Sequence, residues 1–304
     1  KLVIALTDED ANIRRNAWYA VGKIGEKAVT KEVIDKLVIA LTDEDANIRR
    51  NACYAVGNIG EKAATKEVID KLVIALTDEN ANIRPYAWYA VGKIGEKAVT
   101  KEVIDKLVIA LTDENANIRR YACYAVGKIG EKAATKEVID KLVIALTDKD
   151  KSVRISARNA VGKIGEKAAT KEVVETILKL ALHNDAAFHF DENNVVMKIL
   201  TISSLEEVDP ELLYSYGLKQ KDDDILKNFS IDQLLNIWLR TKNCHWLSLS
   251  ANLLVLRAGA VVLNEKTVVV YETKEPIEIP IPSESLREQL RKVFTAEREK
   301  LFLS

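Results

Sequence analysis

Side chains able to do covalent or metal chemistry are few in this chain, with three histidines and three cysteines among 304 residues. His183, Asp185, His189 and Asp191 fall within nine residues, so a metal site can be drawn there. Their spacing matches no established ligand pattern, and a solvated loop is the simpler reading. Cys244 and His245 are adjacent, and sequence neighbours seldom set a base against a nucleophile. The run Gly22-Lys23-Ile24-Gly25-Glu26-Lys27 is rich in Gly and Lys, yet it lacks GK[ST] and closes a helix instead of opening one. No carboxylate pair, phosphate cradle or nucleophile elbow stands out. The expectation is a chain that is not an enzyme and holds no metal or cofactor.

The remaining chemistry is recognition, and a repeat positions it. KLVIALTD begins at Lys1, Lys36, Lys71, Lys106 and Lys141, a 35-residue period running to residue 182. The spans 36–70 and 106–140 differ only at Asp45/Asn115, Asn51/Tyr121 and Asn58/Lys128. Such a period signals stacked supersecondary units, none able to bury its apolar face alone. Within 30–60, Thr30 caps a first helix near 31–42 through Val33, Ile34, Leu37 and Leu41. A polar turn at 43–47 leads to a second helix near 47–59, with Ile48, Ala52, Ala55, Val56 and Ile59 facing inward and Gly60 as its stop. Small residues such as Ala52, Ala55 and Gly57 let layers approach. Pro85 fits only a first helical turn, so the second helix of copy three is expected to begin near Asn82.

Projected at 100° per residue, the second helix centres its apolar stripe on Ile13, Ala17, Ala20, Val21 and Ile24. Arg15 and Gly22 lie opposite, flanked by Trp18 and Tyr19. The candidate partner-binding residues are Arg15, Trp18, Tyr19, Arg50, Tyr54, Trp88, Tyr89, Arg120, Tyr124 and Arg158. Exposed arginines and aromatics are what protein interfaces use as anchors. Alternatively, the rings pack on neighbouring layers, which applies to Trp18 in particular. If they bind, replacing Tyr54, Trp88 and Tyr89 with Ala would leave the helical melt nearly unchanged.

The pattern carried by Leu37, Leu41, Asp43, Asp45, Ile48, Arg49, Ala52, Ala55, Val56, Gly57, Ile59 and Gly60 resembles the HEAT-like repeat of the type named after phycobilisome lyases. It covers at least 1–182. The resemblance implies a mainly α chain, a right-handed α-solenoid of helical hairpins with the second helices on its concave side. It also implies a structural ladder tying turn to helix, in which Asp8, Asp43, Asp78, Asp113 and Asp148 face Arg14, Arg49, Arg84, Arg119 and Arg154.

Residues 183–217 read as a degenerate capping repeat, with 191–197 echoing DENANIR. Residues 218–304 read as a small α+β C-terminal domain. Within it, Ser230 caps a short helix reaching Trp238, and 244–258 is an apolar stretch. A hairpin over 260–271, an edge strand over 276–280 and a last helix capped by Ser283 follow. This ending resembles the C-terminal ends of bacterial NACHT-type signalling ATPases. The resemblance implies a sensor region whose ATPase lies upstream. Lys1 falls inside a first helix without its capping Thr, so further repeats and an effector domain are expected before it.

Composition adds little direction. The formal net charge is −1. Cys53 and Cys123 share one slot two copies apart, roughly 20 Å for layers about 10 Å thick, too far for a disulfide. A reducing, cytoplasmic setting follows, and no membrane-spanning run is present. A protein partner is therefore the leading expectation. The alternatives are a nucleic acid, held by interleaved arginines and aromatics, and a bilin-lyase-like role with a chromophore or phycobiliprotein client.

Overall fold

The structure is a computed structural model. It describes residues 1–182, the backbone of 261–263, 267–270 and 277–280, and the single residues Ile199, Val208, Asp209, Leu212, Glu284, Glu288 and Arg291. The three histidines, Cys244, the helix expected from Ser230, the apolar run 244–258 and nearly all of the expected capping repeat lie outside them. Two compact units are present, one containing Lys1–Ala169 and one running from Thr170.

The first unit is a helical-repeat solenoid. First helices are α1 (Leu2–Ala5), α3 (Lys31–Ala40), α5 (Lys66–Ala75), α7 (Lys101–Ala110) and α9 (Lys136–Leu146). Second helices are α2 (Ala11–Ile24), α4 (Ala46–Ile59), α6 (Arg84–Ile94), α8 (Ala116–Ile129) and α10 (Lys151–Ile164). The Oγ1 atoms of Thr30, Thr65, Thr100 and Thr135 accept the third-position N–H at 3.2–3.3 Å, which satisfies a donor that a helix start leaves orphaned. Asp45 caps α4 in the same way, accepting from Asn47 N–H at 2.7 Å.

Every second helix stops at a glycine, with φ between +62° and +74° from Gly25 to Gly165. That backbone suits glycine and starts a short 3-10 turn of sequence GEKA. Successive second helices pack along their length, whereas successive first helices touch far less. A stack tighter on one row curves toward that row, so the second helices occupy the inner side of this unit.

Copy three departs from the expected start. Pro85 has no N–H to give the carbonyl of Ala81, so 81–83 form a turn and α6 begins at Arg84, two residues after Asn82. The first backbone bonds of this helix run from Tyr86 and Ala87 to Ile83 at 2.9 and 3.1 Å. Ile13 and Ile24 also depart from the core stripe, being 43% and 46% exposed, while Ile48, Ile59, Ile83 and Ile94 are buried. α1 has only four residues where later first helices have ten or more, so α2 is left partly uncovered.

A longer period underlies the 35-residue one. Trp18, Cys53, Trp88 and Cys123 alternate large and small at one buried slot. Over the first four copies the loop after the second helix alternates in step. Val29 and Val99 are extended, with ψ of 114° and 110°, whereas Ala64 and Ala134 both have ψ of 58°. The latter form inverse γ-turns, closed by the N–H of Thr65 and Thr135 on the carbonyls of Ala63 and Ala133 at 2.8 and 2.9 Å. Copies one to four are therefore two 70-residue pairs, and the fifth copy, with Arg158 in the slot and Ala169 at ψ 45°, leaves the alternation.

In the second unit, α11 (Lys171–Leu182) has the sequence of a first helix, and its Glu175 Oε1 accepts the N–H of Asp209 at 3.3 Å. Strands β1 (Val261–Leu263), β2 (Thr267–Val270) and β3 (Ile277–Pro280) form an antiparallel sheet in the order β1-β2-β3. The hairpin pairs Val262 with Val269, and β3 lies at an edge, where Pro280 need not donate. Among the described residues no helix is long and apolar enough to cross a membrane.

Candidate binding face of the second helices

Each second helix carries two adjacent stripes at i, i+4, i+8 spacing, so residues on one stripe share a face. In copy two they are Arg49-Cys53-Gly57 and Arg50-Tyr54-Asn58. The first stripe belongs to the interface with the next copy. Arg49 donates from Nε and Nη2 to Asp78 at 2.8 and 3.0 Å, and from Nη1 to the carbonyls of Asp43 and Glu44 at 2.9 and 3.0 Å. Arg119 repeats this, with 2.6 and 2.8 Å to Asp148. Arg14 reaches Asp43 at 3.2 Å, and Arg84 reaches Asp113 at 3.4 Å through Nη1.

The ladder thus differs from the expected one. An arginine takes only the backbone carbonyl of the aspartate in its own copy, as Arg14 does at Asp8 (2.9 Å), and pairs with the carboxylate of the following copy. Among the described residues Asp8 consequently receives no guanidinium. Arg154 bonds the carbonyls of Asp148 and Lys149 at 2.7 and 3.2 Å, and its sequence counterpart for pairing one period on is His183. Each carboxylate also caps its own turn, as Asp78 does for Asn80 N–H at 2.9 Å.

Burial alone would raise the carboxyls of Asp78 and Asp148. The bonds from Arg49 and Arg119, the backbone N–H groups of Asn80 and Asp150 and the nearby positive charge together outweigh it and hold both below the usual range. The bonds to Asp78 and Asp148 in turn raise the two guanidinium values against their own burial.

The rest of this stripe corrects the projected binding surface. Trp18 and Trp88 are 0% and 1% exposed, and Arg158, in the same slot, is also buried. Burial pushes the thiols of Cys53 and Cys123, again in that slot, up to about 12, so they are inert toward nucleophilic chemistry. Gly22 is buried too. A Cβ built on it would come within 2.6 Å of the Tyr54 ring, and one on Gly57 within 2.5 Å of Tyr89. Glycine therefore makes the seat for the tyrosine of the next copy. Tyr54 and Tyr89 are partly packing residues, and the expectation that they and Trp88 could be removed without loss of stability does not hold.

The second stripe faces outward. Tyr19 is 48% exposed and stacks on Tyr54 with centroids 6.0 Å apart, and Tyr89 stacks on Tyr124 at 5.9 Å. Cations sit over these rings, Lys23 at 5.2 Å from Tyr19, Lys93 at 5.6 Å from Tyr89 and Lys128 at 5.7 Å from Tyr124. Arg50 lies 5.9 Å from the centroid of Tyr86, and Arg120 4.5 Å from that of Tyr121. Burial raises the Tyr89 and Tyr124 phenols, which stay protonated donors, and Tyr89 donates to Asn58 Oδ1 at 3.1 Å.

A depression of about 490 Å³ opens between α2 and α4, lined by Arg15, Tyr19, Arg50, Asn51, Tyr54 and Tyr86 among others. Asn51 is held there by donating to the carbonyl of Arg15 at 2.9 Å. The structure thus brings Arg15, Tyr19, Arg50 and Tyr54 together in one depression and continues the row through Tyr89, Arg120 and Tyr124. Projection missed Tyr86 and Asn51 as lining residues, although variation at 16, 51, 86, 121 and 156 was the available signal. Among the described residues no group of His, Cys, Asp and Glu could hold a metal ion.

The family of HEAT repeats matches residues 34–108 and 104–187, half of the chain. The chain belongs to the HEAT-repeat family. No curated protein matches it in sequence. Among solved structures, this HEAT-repeat chain is similar to an engineered protein at 24% identity and TM-score 0.54, covering 66% of this chain and 96% of that one. A second engineered protein is 28% identical at TM-score 0.52, covering 65% and 96%. A designed armadillo repeat protein, solved in complex with the peptide (KR)4, is 19% identical at TM-score 0.52, covering 66% and 97%. The likeness to the armadillo protein is one of fold.

Proposed function

We propose that this HEAT-repeat protein is a non-catalytic binding scaffold whose second-helix face captures an extended segment of a protein partner. The observation that carries the reading is the outward stripe. Consecutive copies align partly exposed tyrosines, flanked by arginines and lysines, on a framework that is otherwise committed to packing. A fold-level neighbour solved with a peptide is in keeping with it. Base stacking, which a single-stranded nucleic acid would need, has to compete with the rings and cations that already lie against Tyr19, Tyr89 and Tyr124. The bilin-lyase role and the NACHT-type signalling setting rest on resemblance alone, and neither gains support from the family match or the similar structures.

The test selects binders from a displayed library of random 12-residue peptides, using the full chain and the variant Tyr19→Ala/Tyr86→Ala. Both tyrosines line the depression and both are well exposed, at 48% and 37%. Selected peptides should bind the parent chain and lose at least tenfold affinity for the variant, with an unchanged melt. Peptides that bind both equally would place recognition elsewhere and end the proposal.

A further inference from the structure

Charge on the second helices is one-sided. α2, α4, α6, α8 and α10 contain no Asp or Glu at all. The first packed-stripe arginine of each of α2, α4, α6 and α8 is answered, since Asp43, Asp78, Asp113 and Asp148 each take one from the copy before. The glutamates of the GEKA turns are also committed, Glu26, Glu61 and Glu96 pairing with Lys62, Lys97 and Lys132 at 2.8–3.2 Å.

On α2, α4, α6 and α8 what remains is a set of six cations, Arg15, Arg50 and Arg120 at one end of the outward stripes and Lys23, Lys93 and Lys128 at the other. None has a carboxylate within 4.0 Å among the described residues, and Arg120 Nε is buried without an acceptor. Positions 15 and 23 are eight residues apart, about 12 Å along a helix at 1.5 Å per residue. The two cationic rows therefore border a tyrosine floor roughly wide enough for one extended chain. The phenols on that floor are O–H donors, which again suit acceptor groups.

We propose that the outward stripes recognise an extended acidic segment, with Asp or Glu side chains of the partner taken by the Arg15/Arg50/Arg120 row and the Lys23/Lys93/Lys128 row. This rests on the reading of the second-helix face as a binding surface and adds the chemistry of its ligand. Each of the first four layers carries at least one of these cations, Arg15 with Lys23, then Arg50, then Lys93, then Arg120 with Lys128, so successive layers can each take a carboxylate from a chain running across them. Guanidinium groups favour carboxylates through paired N–H donors. Because the charges are solvent-accessible, salt screens the attraction.

The test titrates the full chain against four fluorescein-labelled probes of similar length, the peptides (ED)4, (KR)4 and (GS)4 and an oligothymidylate, and reads anisotropy at low and at physiological salt. The (ED)4 peptide should bind at least tenfold more tightly than either other peptide, and more tightly than the oligothymidylate. Its affinity should fall with salt and fall at least tenfold in Arg50→Glu/Arg120→Glu, whose melt stays unchanged. Equal or better binding of (KR)4 or (GS)4, lost in Tyr19→Ala/Tyr86→Ala, would overturn the acidic inference and leave the peptide-binding reading standing. Tighter binding of the oligothymidylate would overturn both in favour of nucleic acid. No binding by any probe would overturn the inference, while the library selection decides separately on the wider reading.

Discussion

Arg49 and Arg50 are neighbours in sequence and opposites in circumstance. Arg49 places four donated hydrogen bonds on the next copy and its own turn, whereas Arg50 lies over the ring of Tyr86 and lines the open depression. The same holds one turn on, where Cys53 is fully buried and Tyr54 lines the open depression. A step of 100° around the helix separates architecture from available surface. One stripe holds copies together at fixed spacing, and that spacing turns the other stripe into a regular row.

The largest contrast should come from removing the arginine of the packed stripe. Arg49→Ala leaves the nearly buried Asp78 carboxylate without its guanidinium, and takes a donor from the carbonyls of Asp43 and Glu44. The expected loss is about 3 kcal/mol, read from urea melts. The pH dependence sharpens it. Asp78 is held below its ordinary value when folded, so the pair contributes fully above the unfolded value of about 4 and loses that contribution as pH falls through the lower folded value. The gap between parent and Arg49→Ala should therefore be widest near neutrality and narrow below pH 4. A gap that is constant from pH 7 to pH 3 would mean the ion pair contributes little and the loss is one of packing.

Much of this was legible in the sequence, and what failed depends on geometry beyond a single copy or a single turn. Thr30, Asp45 and Gly60 announced their helix ends because caps act locally, through atoms within a few residues. Pro85 announced a late start but not its position, which depends on Ile83 serving as the last non-helical residue. Trp18, Gly22 and Trp88 were misplaced because projection assumes one buried side opposite one wet side. A second helix in this stack is covered by its own first helix and also by the second helix on either hand. Its exposed arc shrinks and shifts toward Arg15, Tyr19 and Lys23. The ladder that the resemblance implies runs within a copy, from Asp8 to Arg14, whereas the pairing carboxylate is 29 residues away. The alternation of Val29 and Ala64 with Trp18 and Cys53 was visible in the sequence and marks the 70-residue unit.

A smaller effect tests where the two stripes touch. Gly57 lies on the packed stripe under Tyr89 of the outward one, and an added methyl would meet ring atoms at 2.5 Å. Alanine would gain about 1 kcal/mol of helix propensity at an unhindered position. Overpacking in a fitted contact costs about 1–3 kcal/mol. Gly57→Ala should therefore lose about 1 kcal/mol net, and become neutral or stabilising once Tyr89→Ala has emptied the seat. The double-mutant cycle reads this coupling directly. Additive effects would show that the ring yields freely and that glycine is present for some other reason.

The smallest effect is the most informative about the binding face. Arg50→Ala removes a guanidinium that has no carboxylate partner and a ring contact worth only about 0.5–1 kcal/mol at an exposed site. The melt should move by about 0.5 kcal/mol, within the usual range for surface changes. Arg50→Lys should restore most of it, since a cation over Tyr86 needs no paired donors. The same Arg→Lys exchange at Arg49 should fail, because an ammonium cannot span both oxygens of Asp78 and also reach two carbonyls. If Arg50→Ala instead cost as much as Arg49→Ala, the outward stripe would be a second packing surface and the row of cations would have no vacancy for a partner.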